Sequence, residues 1–157
     1  MTVRERYTKA GVAVYRALQD APALLALVER SMGPEARDAW SRLVEEWRAN
    51  YREARAQWNR RRSDGQPSEA SREVAAELLE RTAAQMREAM RELAGHIRRI
   101  PPLVRAAQAA GLWTHVQALD RAAEGAGRAV SAGIGALGAG AMLGLGVLAL
   151  VLFGGRR

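Results

Sequence analysis

Cysteine is absent from the 157 residues, and histidine occurs only twice. The chain therefore has no disulfide, no thiol nucleophile and no sulfur ligand for zinc. His96 and His115 stand apart in the sequence, and neither has a second histidine at a spacing that zinc sites use. The carboxylates alternate with arginine along the sequence, as on solvated helix faces, and do not form a pair suited to acid–base work. We predict no metal site, no cofactor and no enzymatic activity.

Lysine is almost absent too, since Lys9 is the only lysine among 24 basic residues. The chain has 17 acidic residues. The net charge of +7 favours anionic lipid or nucleic acid as a partner, but its sign alone does not choose between them. A cluster at a predicted turn could contact RNA, DNA or a ribosome, or it could complement a helix dipole. A second cluster lies nearer the predicted membrane end. The two clusters are Arg60, Arg61, Arg62 and Arg98, Arg99.

No stretch alternates apolar and polar residues at the period of a strand, and alanine, arginine, glutamate and leucine dominate. The sequence thus predicts an all-α fold. Residues 1–33 are expected to form short helices. The first carries an apolar stripe that includes Tyr7 and Val14, and Asp20 would cap a second helix with Pro22 in its first turn. Gly33 and Pro34 would end this region and open the next helix.

Residues 34–100 contain two apolar stripes with heptad spacing, separated by the turn residues 63–67. Two such stripes joined by a short turn predict an antiparallel helical hairpin, a small helical bundle. A coiled-coil dimer or trimer built from the same stripes is the competing arrangement. The residues expected in this hairpin seam are Trp40, Val44, Trp47, Tyr51, Trp58, Leu79, Met86, Met90, Leu93 and Ile97.

Pro101 and Pro102 should stop the second arm, because proline donates no backbone hydrogen bond and restricts the residue before it. Residues 101–128 then continue the heptad spacing into the tail as a juxtamembrane helix. We expect one long helix that begins near Leu103 or Gly111 and ends at Phe153.

Residues 129–153 form the one long hydrophobic run, 25 residues without a charge, followed by a basic tail at 154–157. About 20 apolar residues suffice for a helix to cross the hydrocarbon core of a bilayer. The charged N-terminal region lacks the unbroken apolar core of a signal peptide. The sequence therefore predicts a C-terminal transmembrane helix, that of a tail-anchored protein, with the N-terminal part in the cytoplasm.

Small residues recur on one face of this predicted transmembrane helix, where they would allow a second helix to approach closely. This pattern predicts a homo-oligomer in the membrane, although glycine is common in transmembrane helices for other reasons. Gly133, Gly135 and Gly138 also match G-x-G-x-x-G, but a dinucleotide site needs a preceding strand, which this run lacks. The predicted helix-association face comprises Ala129, Gly133, Ala136, Gly140 and Gly144.

The glycines Gly133, Gly135 and Gly138 with the final pair Arg156 and Arg157 resemble the C-terminus of bacterial inner-membrane proteins of the ElaB/YqjD type. The resemblance covers about one sixth of the chain. It implies a helical cytoplasmic part, a glycine-rich anchor in the bacterial inner membrane, and a role in holding ribosomes there.

Three hypotheses for function follow from the sequence. The first is a tail-anchored scaffold or tether, whose hairpin binds a protein partner at the membrane. The second is a membrane-permeabilising protein, either holin-like or a helical pore-former. The third is a soluble helical adaptor whose tail packs inside an oligomer.

Overall fold

The computed structural model describes residues 1–31, 33–119 and 121. Their helices are α1 (Val3–Val28), α2 (Pro34–Asn59), α3 (Glu69–Arg99) and α4 (Pro101–Ala109). A further helical stretch covers residues 113–119. These described residues form no β-strand, and their β-type pairing is limited to an isolated bridge between Arg61 and Pro67. The predicted all-α fold is confirmed.

Helix α1 differs from the prediction of short helices, because it continues through Asp20 and Pro22 without a break. Proline within a helix removes one backbone hydrogen bond and costs about 3 kcal/mol. Ala21 and Leu24, on either side of Pro22, have no exposed surface. Burial of these side chains offsets the lost hydrogen bond, so tertiary packing overrides the local signal for a helix start.

A structured turn of residues 60–68 joins α2 to α3 and includes the turn expected at 63–67. The Arg62 N–H donates to the Gln66 carbonyl at 2.8 Å, and the Gln66 N–H donates to the Asp64 carboxylate at 2.9 Å. Gly65 has a φ of 78°, a left-handed conformation that glycine adopts without strain. The turn therefore holds its three arginines on an ordered backbone.

The double proline separates α3 from α4, as predicted. Ile100 between them is extended, with φ −117° and ψ 103°, as expected for a residue before proline. Helix α4 then ends in a Schellman motif, in which the N–H of Gly111 donates to Gln108 O and the N–H of Leu112 to Ala107 O.

Gly111 has a φ of 71°, so a continuous helix from Leu103 is excluded. The alternative start near Gly111 agrees with the helical stretch at 113–119. The remainder of the predicted long helix, including the transmembrane segment and its helix-association face, lies outside the described residues.

The chain divides into two compact units, to which α1, α2 and α3 each contribute. Unit 1 comprises Met1–Pro22 and Ser41–Glu88, and unit 2 comprises Ala23–Trp40 and Ala89–Arg157. Apolar side chains buried in unit 1 include Val14, Val44, Trp47, Ala54, Ala76, Leu79, Ala83 and Met86. In the described part of unit 2 they include Leu24, Val28, Trp40, Met90, Leu93, Ile97, Ala107 and Val116.

Within unit 1, two contacts join α2 to α3. The Asn50 side-chain amide donates to the Thr82 hydroxyl at 3.3 Å, and the Arg72 guanidinium lies 5.1 Å from the centre of a Trp58 ring. Helix α1 packs against both, as the next contacts show.

Candidate functional site

The residues predicted for the hairpin seam are core residues. Eight of the ten are buried, with exposed fractions between 0 and 7%, and only Tyr51 and Trp58 are half-buried. A side chain without exposed surface cannot bind a partner unless the fold opens. A partner of the folded chain would therefore bind to a different surface. The buried seam residues are Trp40, Val44, Trp47, Leu79, Met86, Met90, Leu93 and Ile97.

Arg6 of α1 forms a clamp on two carboxylates of α3 in unit 1. Its Nε donates to Glu80 Oε1 at 3.0 Å, and its Nη2 donates to Glu80 Oε2 at 2.7 Å. The Nη1 of the same guanidinium donates to Glu73. This two-bond fork matches the planar geometry of arginine to that of a carboxylate, so it fixes the position of α1 along α3.

The clamp makes the stability of the fold depend on pH. Hydrogen bonds from Arg6 lower the pKa of Glu80 below its ordinary value. A lowered folded-state pKa stabilises the fold above the unfolded-state pKa of about 4.3, and this stabilisation is lost as pH falls through the folded-state pKa. We expect Glu80→Gln to lower the thermal unfolding midpoint at pH 7 and to have less effect in acid.

Thermal unfolding followed by circular dichroism across this pH range would test the clamp. Glu77→Gln is the control, since Glu77 lies on the same helix and only approaches Arg81, at 3.9 Å. An effect of Glu80→Gln that did not diminish in acid would contradict the assignment.

A stack of three side chains connects all three helix segments of unit 1. The rings of Tyr7 and Trp58 are stacked, with centroids 4.0 Å apart and planes 17° apart. Arg72 contributes a cation–π contact to the same tryptophan. Burial and the neighbouring Tyr51 raise the pKa of Tyr7, so its phenol is neutral at pH 7. The stack is therefore a packing contact and contains no group poised for proton transfer.

The three arginines of the turn, Arg60, Arg61 and Arg62, are exposed. Two of them also support the turn itself. Arg61 donates from its guanidinium to Gly65 O at 3.2 Å, and Arg62 lies 3.1 Å from the Asp64 carboxylate. Part of this basic cluster therefore has a structural role, and the remaining charge is available to an anionic partner.

The second basic cluster, Arg98 and Arg99, is exposed at the C-terminal end of α3, where positive charge complements the helix dipole.

Burial and the nearby Arg99 lower the pKa of His96, so this histidine is neutral at pH 7. Among the described residues, no group of three acidic or histidine side chains could hold a metal ion.

The outer face of α1 is a surface that the sequence prediction missed. We define it by Met1, Arg4, Thr8, Lys9, Val12, Tyr15 and Arg16, all of which are exposed. A shallow depression of about 660 Å³ runs along it. In the sequence, apolar Val12 and Tyr15 lie between the basic residues Lys9 and Arg16, a signal that could have indicated this surface.

Two further observations concern α1. A cavity of about 560 Å³ lies beside its first turn and is lined by Thr2, Val3, Arg4, Trp58, Glu69 and Arg72. Of the described helices, α1 alone is long and apolar enough to cross a membrane by length and composition, a property that core helices of soluble proteins share. Arg6 of this helix hydrogen-bonds to Glu80 of α3, and Tyr7 stacks on Trp58 of α2.

Comparison with known proteins gives no relative: no family model, no curated protein and no solved structure matches this chain.

Proposed function

We propose that the chain is a tail-anchored helical scaffold or tether. Its glycine-rich anchor forms an oligomer in the membrane, and its folded helices bind a protein at the membrane surface. The uncharged run of 25 residues at 129–153 carries this proposal. The resemblance to the ElaB/YqjD type supports the bacterial inner membrane as the location, with the N-terminal part in the cytoplasm.

In this proposal α2 and α3 form an antiparallel hairpin, and a long helix leads from residue 113 into the bilayer. Because the seam is buried, the partner binds to exposed charge on the outside of the helices. The exposed basic cluster at Arg60, Arg61 and Arg62 is the surface to which a ribosome or another nucleic-acid-containing partner would bind.

Alkaline extraction of membranes tests the anchor. The full-length chain should stay in the pellet, whereas a chain lacking residues 129–157 should be released, because only the hydrophobic run holds it in lipid. A matched control replaces the run with an unrelated transmembrane helix, which should restore retention. Retention of the shortened chain would overturn the proposed anchor.

A membrane-permeabilising role is the second candidate, and the small residues on one predicted face of the anchor favour it. Such a face lets several helices pack closely around an axis. Purified protein would then release dye from liposomes, and Gly140→Leu or Gly144→Leu would abolish release. Retention in the pellet without any dye release would support the scaffold and exclude this alternative.

A further inference from the structure

The outer face of α1 concentrates the exposed apolar surface of unit 1. Four large hydrophobic side chains are markedly exposed among the described residues, and three of them, Met1, Val12 and Tyr15, lie on this face. The opposite face of α1 is used within unit 1, where Ala10 and Val14 are buried. The helix is therefore apolar on two sides, and only one side is covered by the described residues.

Basic side chains flank this apolar strip on both sides. Successive residues of an α-helix are about 100° apart, which places Arg4 on one side of Val12 and places Lys9 and Arg16 on the other. None of the three takes part in an ion pair described within residues 1–31, 33–119 and 121.

Glu5 is the one acidic residue that lines the depression along this face, about 20° from Val12 around the helix, and its carboxylate is committed to the helix start. Its carboxylate accepts a hydrogen bond from the Thr2 N–H at 2.7 Å, and its own N–H donates to the Thr2 hydroxyl at 3.2 Å. This reciprocal capping box satisfies two backbone donors of the first turn. With the Glu5 carboxylate engaged at Thr2, the strip presents the exposed apolar side chains Met1, Val12 and Tyr15 between basic residues.

We propose that the outer face of α1 lies on the surface of a membrane that contains anionic lipid. An apolar strip bordered by lysine and arginine is the pattern of helices that lie in the interface, where the strip enters the acyl boundary and the cations meet headgroup phosphates. Tyrosine suits this depth because its ring is apolar and its hydroxyl is polar.

Charge distinguishes lipid from the other candidates for this surface. A second copy docked on the same face would bring Arg4, Lys9 and Arg16 against like charges. The chain's own tail offers no counterion, because residues 125–157 contain neither aspartate nor glutamate. A nucleic acid would engage the basic border but leave the apolar centre without a partner. Anionic lipid satisfies both parts.

The absence of cysteine allows a direct test. In the full-length protein reconstituted into vesicles, Val12→Cys and Val74→Cys each provide a single attachment site for an environment-sensitive fluorophore. The two positions are matched, since both are exposed valines of unit 1, at 45% and 51%, and Val74 lies on α3 outside the proposed face. Circular dichroism confirms that each labelled chain is folded, and Tyr15→Cys gives a second site on the face.

We expect a blue shift of the label at position 12 in vesicles containing phosphatidylglycerol, little shift in phosphatidylcholine alone, and none at position 74. Salt at 1 M should reverse the shift, since the Debye length falls to about 3 Å. Lys9→Gln with Arg16→Gln should reduce the inserted fraction of label several-fold, because each cation near an anionic surface contributes about five-fold.

This inference rests on the proposed anchor only because the anchor brings α1 next to lipid. Vesicle flotation tests the anchor independently of the label, so failure of the anchor and failure of the inference can be distinguished. If the protein floats with both kinds of vesicle but the label at position 12 behaves as in buffer, the inference is wrong and the anchor stands. Failure to float with phosphatidylcholine vesicles overturns the anchor instead. Equal shifts at positions 12 and 74, or a shift unaffected by headgroup charge, would also overturn the inference.

Discussion

Replacing Trp47 with alanine is expected to lower the free energy of unfolding by about 3–5 kcal/mol. Trp47 has no exposed surface and belongs to the buried seam of unit 1. The substitution removes the largest type of side chain from the core and leaves a cavity that the surrounding helices can fill only in part. Domains have about 5–15 kcal/mol of stability in total, so this variant should be partly unfolded under mild conditions.

Urea unfolding of the full-length chain in detergent micelles, followed by circular dichroism, would measure this loss. Trp58→Ala is the control, because Trp58 is half-buried and its stack with Tyr7 contributes only about 0.5–1.5 kcal/mol beyond its buried area. A change at Trp47 of about 0.5 kcal/mol or less, typical of surface positions, would contradict the buried placement.

The same titration distinguishes a core within one chain from a coiled coil between chains. If the seam is buried within each chain, the urea midpoint of the helical signal does not depend on protein concentration. A dimer or trimer built from the same stripes would show a midpoint that rises with concentration, because association stabilises the folded state by mass action.

Heptad spacing was sufficient to predict α2 and α3 and to find the large apolar side chains buried in them. Each heptad position repeats the same local geometry, so the sequence pattern carries the information. The contacts of α1 could not be predicted in this way. Arg6 contacts Glu80, 74 positions further along the chain, and no periodicity in either helix encodes that pairing.

Pro22 shows the opposite difficulty, in which a clear local signal is overruled. Asp20 followed by Pro22 is a standard pattern for a helix start, yet α1 continues because Ala21 and Leu24 are buried. Helix propensity and capping decide where a helix begins or ends only if burial of the neighbouring side chains contributes less free energy than they do. At Gly111 the local signal prevails. Glycine favours a helix end, and α4 does end there in a Schellman motif, in which Leu112 N–H donates to Ala107 O.

The outer face of α1 was hidden for a related reason. A sequence shows that both sides of α1 carry apolar residues, but not which side enters the core. The contacts of Tyr7 and the burial of Val14 decide this, and only then do Val12 and Tyr15 become exposed apolar residues in need of an explanation. The outer face of α1 is thus recognised as an exposed apolar surface only after the core has been assigned.

Replacing Met86 with aspartate is expected to destabilise the chain by about 3–5 kcal/mol at pH 7, since it places an unpaired charge in an apolar site. Met86 has no exposed surface in unit 1. Burial raises the pKa of a carboxyl, because the neutral form is easier to remove from water. The folded state of this variant would bind a proton at pH values where the unfolded state has released it, so its stability falls as pH rises.

This pH dependence is opposite in sign to that of the Arg6–Glu80 clamp, and the two can be measured in one series of thermal unfolding experiments. Met86→Leu, which nearly conserves volume, should cost less than about 1.5 kcal/mol at every pH. Arg87→Asp introduces the same charge at the adjacent exposed position and should change stability by about 0.5 kcal/mol or less. If Met86→Asp were as mild as Arg87→Asp, position 86 would be accessible to water, and the buried seam would have to be reassigned as a surface open to partners.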